Sequence, residues 1–136
     1  MKKTPFSTIT DSIIAVLSED DRVLFAFLYG SATESGQGND IDIAVYAAAE
    51  VDFHKLSVDL KVALHKRIGL PPDAFDVRVL NGVAEQGDIF GLLYLKNVLS
   101  DNRLLIDRNP DARTQFLERY GTRFRECEGL IQEVLA

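Results

Sequence analysis

Apolar positions along the chain switch between a helical period and a strand period, and the switches divide it into elements. Ile9, Ile13, Val16 and Leu17 share one helical face and predict a first helix, with Ser7 or Thr8 as its cap and Asp20-Asp21 at its end. Val23 to Tyr29 is a nearly continuous apolar run, the mark of a buried strand. Ile41, Ile43 and Val45 alternate with Asp40, Asp42 and Ala44 and predict a second strand. The short link between these two makes them antiparallel neighbours. Phe53, Leu56, Leu60, Ala63 and Leu64 repeat at helical spacing until Gly69 and Pro71-Pro72. Phe75 to Leu80 alternates again, and Ile89 to Leu99 reads as an apolar helix. Asp101-Asn102 marks a turn before a short Leu104-Leu105-Ile106 strand. Asn109 caps a last helix with Pro110 in its first position. That helix, about residues 110–134, carries Phe116, Leu117, Tyr120, Phe124, Cys127, Leu130, Ile131 and Val134 along one side. The order predicts an α/β (α+β) fold, a small mixed sheet flanked by helices, as one domain over residues 1–136.

Bulk composition narrows the function classes. Hydrophobic residues are 46% and charged residues 26% of the 136, a globular balance. The net charge of −6 argues against an unaided grip on a nucleic acid backbone and suits a basic partner or a bound cation. No stretch approaches the roughly 20 apolar residues of a membrane span. One cysteine, Cys127, excludes an internal disulfide and fits a reducing compartment. A cytoplasmic protein is expected.

Chemistry concentrates in the stretch FLYGSATESGQGNDIDIAV, residues 27–45. Alternate strand residues point to opposite faces, so Asp40 and Asp42 share one face while Ile41, Ile43 and Val45 take the other. Paired carboxylates remain ionised only with a cation between them, and Mg²⁺ prefers such oxygen ligands. Asp76, in the third strand, offers another carboxylate. If that strand lies beside the second, three carboxylates converge, enough to hold two metals for in-line phosphoryl or nucleotidyl transfer. Gly30 allows close backbone approach to a ligand, and the Ser31 hydroxyl can bond a phosphate oxygen. A short helix starting near Ser31 would turn its free N–H groups to the same phosphates. The chain contains no GxxxxGK[ST], so it is not a P-loop NTPase.

Plainer readings stand beside these. Asp40 and Asp42 can be a solvated pair at a strand edge, Asp76 a cap, and Ser31 a turn residue. His54 and His65 lack an acidic or cysteine neighbour that would complete a zinc set, which makes them surface residues. Cys127 falls within an apolar stripe and reads as core. The stripe reads as core packing or, through Leu130 and Leu135, as a partner-facing patch.

Gly30-Ser31, eight intervening residues, then Asp40-x-Asp42 resembles the GS…DxD signature of the polymerase-β-type nucleotidyltransferases. The small size and the tail NVLSDNRLLIDRNPDARTQFLERY resemble the minimal nucleotidyltransferases, or MNT proteins, across most of the chain. The resemblance implies a polymerase-β-like fold, with Asp40, Asp42 and Asp76 as Mg²⁺-binding and catalytic residues and Gly30 and Ser31 holding the phosphates of ATP. It also implies a partner. MNT proteins accompany small helical HEPN ribonuclease toxins, which they neutralise by complex formation, by AMP transfer to a toxin tyrosine, or by both. The expectation is a hetero-oligomeric antitoxin with no direct nucleic acid or membrane contact. Related loops often read GSxARG, whereas this one reads GSATES and places Glu34 where the arginine stands. Arg78 or Lys55 is a candidate replacement for that positive charge. Two other readings are an MNT-fold protein that silences its partner by binding alone, and a stand-alone enzyme modifying a small-molecule hydroxyl.

Overall fold

The computed structural model describes residues 6–29, 41–83, 88–100 and 102–135. The elements follow the order α1 (Phe6–Ser18), β1 (Val23–Tyr29), β2 (Ile41–Ala47), α2 (Phe53–Ile68), a 3₁₀ turn (Pro72–Ala74), β3 (Phe75–Val79), α3 (Ile89–Ser100), β4 (Asn102–Asp107) and α4 (Pro110–Leu135). The four strands form one sheet in the order β3-β2-β1-β4. β1 runs antiparallel to both β2 and β4, as its short link to β2 predicts. β2 and β3 are parallel, and α2 is the crossover that parallel neighbours require. The sheet is therefore mixed, and helices cover both faces.

Each face has its own apolar core. Ile41, Ile43 and Val45 of β2 pack with Phe75 and Val77 of β3 against Ile13, Val16 and Leu17 of α1 and Leu56, Leu60 and Leu64 of α2. On the other face Phe25, Phe27, Tyr29 and Ala44 meet Leu95 and Val98 of α3 and Phe116 of α4. β1 is buried along nearly its whole length, which is why its sequence does not alternate. Its register against β2 shifts between Val23 and Phe25. As a result Val23 packs with the α1/α2 core while Phe25, two residues on, packs with the α3/α4 core.

Local chemistry sets the element ends. Asp52 caps α2 by accepting from the Lys55 N–H at 3.1 Å. Gly69 closes α2 in the left-handed region at φ 91°, where its N–H reaches the His65 carbonyl. Asn109 caps α4 as expected, accepting from the Ala112 N–H at 3.0 Å. Asn102 both turns and extends: its side chain donates to the Leu99 carbonyl at 2.8 Å, while its backbone already belongs to β4. β4 is thus longer than the three residues that alternation suggests. Arg108, from beyond β4, donates to the Ser18 and Leu17 carbonyls at the end of α1 and ties that helix to the sheet.

Two expectations are corrected. α1 starts at Phe6, so Ser7 and Thr8 lie inside the helix rather than at its cap. The apolar stripe begins at Ile9, but the helical backbone extends beyond what the stripe needs. Along α4 only Phe116 and Ile131 are buried, and Cys127 is half-buried rather than core. The helix extends past the sheet, so Leu130, Val134 and Leu135 remain 54%, 49% and 59% exposed.

Phe116 anchors α4 through aromatic contacts with Phe25 at 5.8 Å and Tyr46 at 5.4 Å between ring centroids. Phe116→Ala is expected to cost about 3–5 kcal/mol in denaturant unfolding, whereas Leu130→Ala should cost under about 0.5 kcal/mol. Equal losses for the two would refute this account of what holds the helix.

Candidate active site

Asp42 is the second residue of β2 and Asp76 the second residue of β3, and the parallel register pairs them directly. Ile41 and Ile43, and Phe75 and Val77, turn into the α1/α2 core. The two aspartates therefore stand side by side on the opposite face, on strands about 4.8 Å apart. Both are half-buried. On the far side of Asp42 the register brings Tyr29, the last residue of β1. Across the strands at this end of the sheet the order is thus Asp76, Asp42, Tyr29.

Two further side chains complete the cluster. Arg78, two residues beyond Asp76 on the same face, donates from Nε to Asp76 Oδ2 at 3.2 Å. Its guanidinium carbon lies 5.1 Å from the centre of the Tyr94 ring, a cation–π contact. Tyr94, from the middle of α3, shares a hydrogen bond of 3.1 Å with the Tyr29 hydroxyl. The rings of these tyrosines meet edge-on, with centroids 5.9 Å apart. Tyr29, Asp42, Asp76, Arg78 and Tyr94 form a circuit at this end of the sheet.

Electrostatics keep both hydroxyls neutral. Burial pushes the Tyr94 phenol far above its ordinary range, and the bond to Tyr29 adds to this. Tyr29 is also raised, first by burial and further by the negative charges of Asp42 and Asp76, against a lowering from the Tyr94 bond.

Of the residues singled out from sequence, Asp42 and Asp76 come together. Asp40, Gly30, Ser31 and Glu34 lie outside the described residues, as does the stretch near Ser31 where a helix start is expected. β1 ends and β2 begins at the same end of the sheet, beside the pair. The two candidate cations separate clearly. Arg78 is in the circuit, whereas Lys55 on α2 bonds Asp59 at 2.8 Å. α2 packs on the other face of the sheet. His54 and His65 are exposed on α2, as expected. Among the described residues no group of three His, Cys, Asp or Glu side chains is placed to hold a metal. The described donor set is two carboxylates, hard oxygen ligands of the type Mg²⁺ takes.

Sequence reading missed Tyr29 and Tyr94. Each sits in an apolar run and reads as core. The available signal was a phenol at the last position of β1, adjacent to the glycine-rich loop.

The model of the polymerase beta nucleotidyltransferase family matches residues 11–111. The chain belongs to that family. Among solved structures, the nucleotidyltransferase chain is similar to a chain from a complex of tri-AMPylated Shewanella oneidensis HEPN toxin with MNT antitoxin. That match has TM-score 0.62 and 20% identity, and covers 97% of this chain and 100% of the other. It is also similar to a chain of a toxin–antitoxin structure with AMP-PNP, at TM-score 0.63 and 21% identity over 93% of this chain and 98% of the other. A chain of the MntA–HepT toxin–antitoxin structure matches at TM-score 0.59 and 19% identity, over 96% and 99% of the two chains. At these identities the likeness is one of fold. No curated protein matches the chain. Among the described residues no helix is long and apolar enough to cross a membrane.

The raised tyrosines make stability sensitive to alkali. In the unfolded chain both phenols ionise near their ordinary value of 10.0, while the folded protein holds their protons to higher pH. The folded state then binds more protons, so stability falls as pH rises through about 10 and is unaffected below about 9. Tyr94→Phe is expected to flatten that alkaline decline in urea midpoints measured from pH 8 to 11. An unchanged slope would contradict it.

Proposed function

We propose that this nucleotidyltransferase transfers AMP from ATP to a hydroxyl of a HEPN-type toxin and acts as that toxin's antitoxin in the cytoplasm. The observation that carries the reading is the register pairing of Asp42 with Asp76 on neighbouring parallel strands, in a chain of this family. The named complexes of MNT antitoxin with HEPN toxin, one of them tri-AMPylated, support the choice of partner and reaction. AMP-PNP in another supports ATP as the donor. The acidic balance of the chain, −6, suits a basic partner.

Asp40, Asp42 and Asp76 would hold Mg²⁺, and Gly30 and Ser31 would hold the triphosphate. Magnesium, when bound, supplies charge neutralisation at the phosphates. Asp42 and Asp76, fixed on neighbouring strands, would hold that cation at a set place beside the incoming hydroxyl. The hydroxyl oxygen bonds to the α-phosphorus as the bond to the bridging oxygen of the β-phosphate breaks. Pyrophosphate leaves, and the hydroxyl proton passes to the Asp76 carboxylate. Tyr29 and Tyr94 close one side of the site with neutral groups.

A second reading is silencing by binding alone. Glu34 in the phosphate loop favours it, as do the exposed Leu130, Val134 and Leu135 at the end of α4.

Incubation with α-labelled ATP, Mg²⁺ and the cognate toxin tests both. Label is expected on the toxin with the unchanged protein and should fall about a hundredfold or more in Asp42→Asn and in Asp76→Asn. Persistent labelling in those variants would refute the carboxylate mechanism. Full neutralisation of the toxin by an Asp42→Asn/Asp76→Asn protein that transfers no label would favour binding alone.

A further inference from the structure

We infer that Arg78 is the cation that grips the polyphosphate tail of the bound nucleotide, in place of a loop arginine. This rests on the nucleotidyltransferase reading above and assigns one more residue to the same site.

Three observations point to it. First, position: Arg78 follows Asp76 by two residues on one strand, so it lies on the carboxylate face one step along β3, roughly 7 Å away. Second, availability: its side chain is 57% exposed, and only Nε is used on Asp76. Among the described residues its two terminal amino groups make no hydrogen bond, and these are the pair whose fork matches two oxygens of a phosphate. Third, support: the ring of Tyr94 lies under the guanidinium at 5.1 Å, and the Tyr29 bond fixes that ring in turn. A cation already restrained on an aromatic face loses little side-chain freedom when it binds an anion. Nothing comparable holds Lys55, whose ammonium is on the opposite side of the sheet and bonded within α2.

The charge balance favours such a group beside the metal. A nucleoside triphosphate brings a polyanion to two carboxylates in a chain of net charge −6. A cation on Asp76 offsets one carboxylate before the nucleotide arrives and then faces the incoming phosphates. The geometry favours ligands with a phosphate tail over those with a single phosphate.

The test is calorimetric binding of ATP and of AMP, each with Mg²⁺, to the purified protein and to Arg78→Gln and Arg78→Lys. Arg78→Gln removes the charge and the guanidinium fork while leaving a polar side chain, and thermal unfolding checks that it remains folded. The unchanged protein is expected to bind ATP more tightly than AMP. Arg78→Gln should weaken ATP about tenfold and AMP little, collapsing the preference for the longer tail, and Arg78→Lys should restore part of it. An ATP-to-AMP ratio unmoved in a folded Arg78→Gln protein overturns the assignment of Arg78 while leaving the nucleotidyltransferase reading in place. Absence of ATP binding by the unchanged protein overturns both.

Discussion

The parallel pairing of β2 with β3 is the constraint on which the rest of the molecule depends. It aligns Asp42 with Asp76, and it also sends Ile43 and Val77 together into the α1/α2 core. The two results are inseparable because side chains alternate along a strand. A slip of one residue would place both carboxylates among leucines and expose the isoleucine and valine. Burial of the apolar face therefore specifies the position of the charged one. The aspartates need no local device of their own, since the core on the other side of the sheet enforces their register.

The opposite face works differently. Its core is aromatic, with Phe25 stacked on Tyr46 at 4.8 Å and Phe116 leaning on both. Towards the carboxylate end this aromatic lining becomes polar. Tyr29 and Tyr94 carry the packing to the edge of the carboxylate pair and end it with hydroxyls bonded to one another. On this side the site is bounded by groups that are hydrophobic in bulk and neutral at their tips, and among the described residues its charges are Asp42, Asp76 and Arg78.

Much of this was legible in the sequence, for identifiable reasons. The alternation in FDVRVL and DIDIAV gave two strands and the face of Asp42 and Asp76, because period two leaves no other choice. Asn109-Pro110 and Gly69 marked helix ends through backbone chemistry that depends on no distant contact. The irregularity in β1 was hidden, because a run buried on both faces carries no alternation to interrupt. The stripe on α4 was visible, but its coverage was not: amphipathicity shows which side of a helix is apolar and not how much sheet lies beneath it. Tyr94 was unreadable for a related reason. Only the path of α3 across the sheet turns an ordinary helical tyrosine into a wall of the site.

The crossover through α2 has a kinetic consequence. Asp42 and Asp76 are separated by 34 positions, and they meet only when a strand joins its parallel neighbour across an intervening helix. Non-local pairings of this kind close slowly compared with the β1–β2 ribbon, whose partners are near in the chain. During synthesis the chain must extend beyond β3 before its two acids can come together. The edge that carries the paired carboxylates is thus a late product of folding, formed after the ribbon on which it is built.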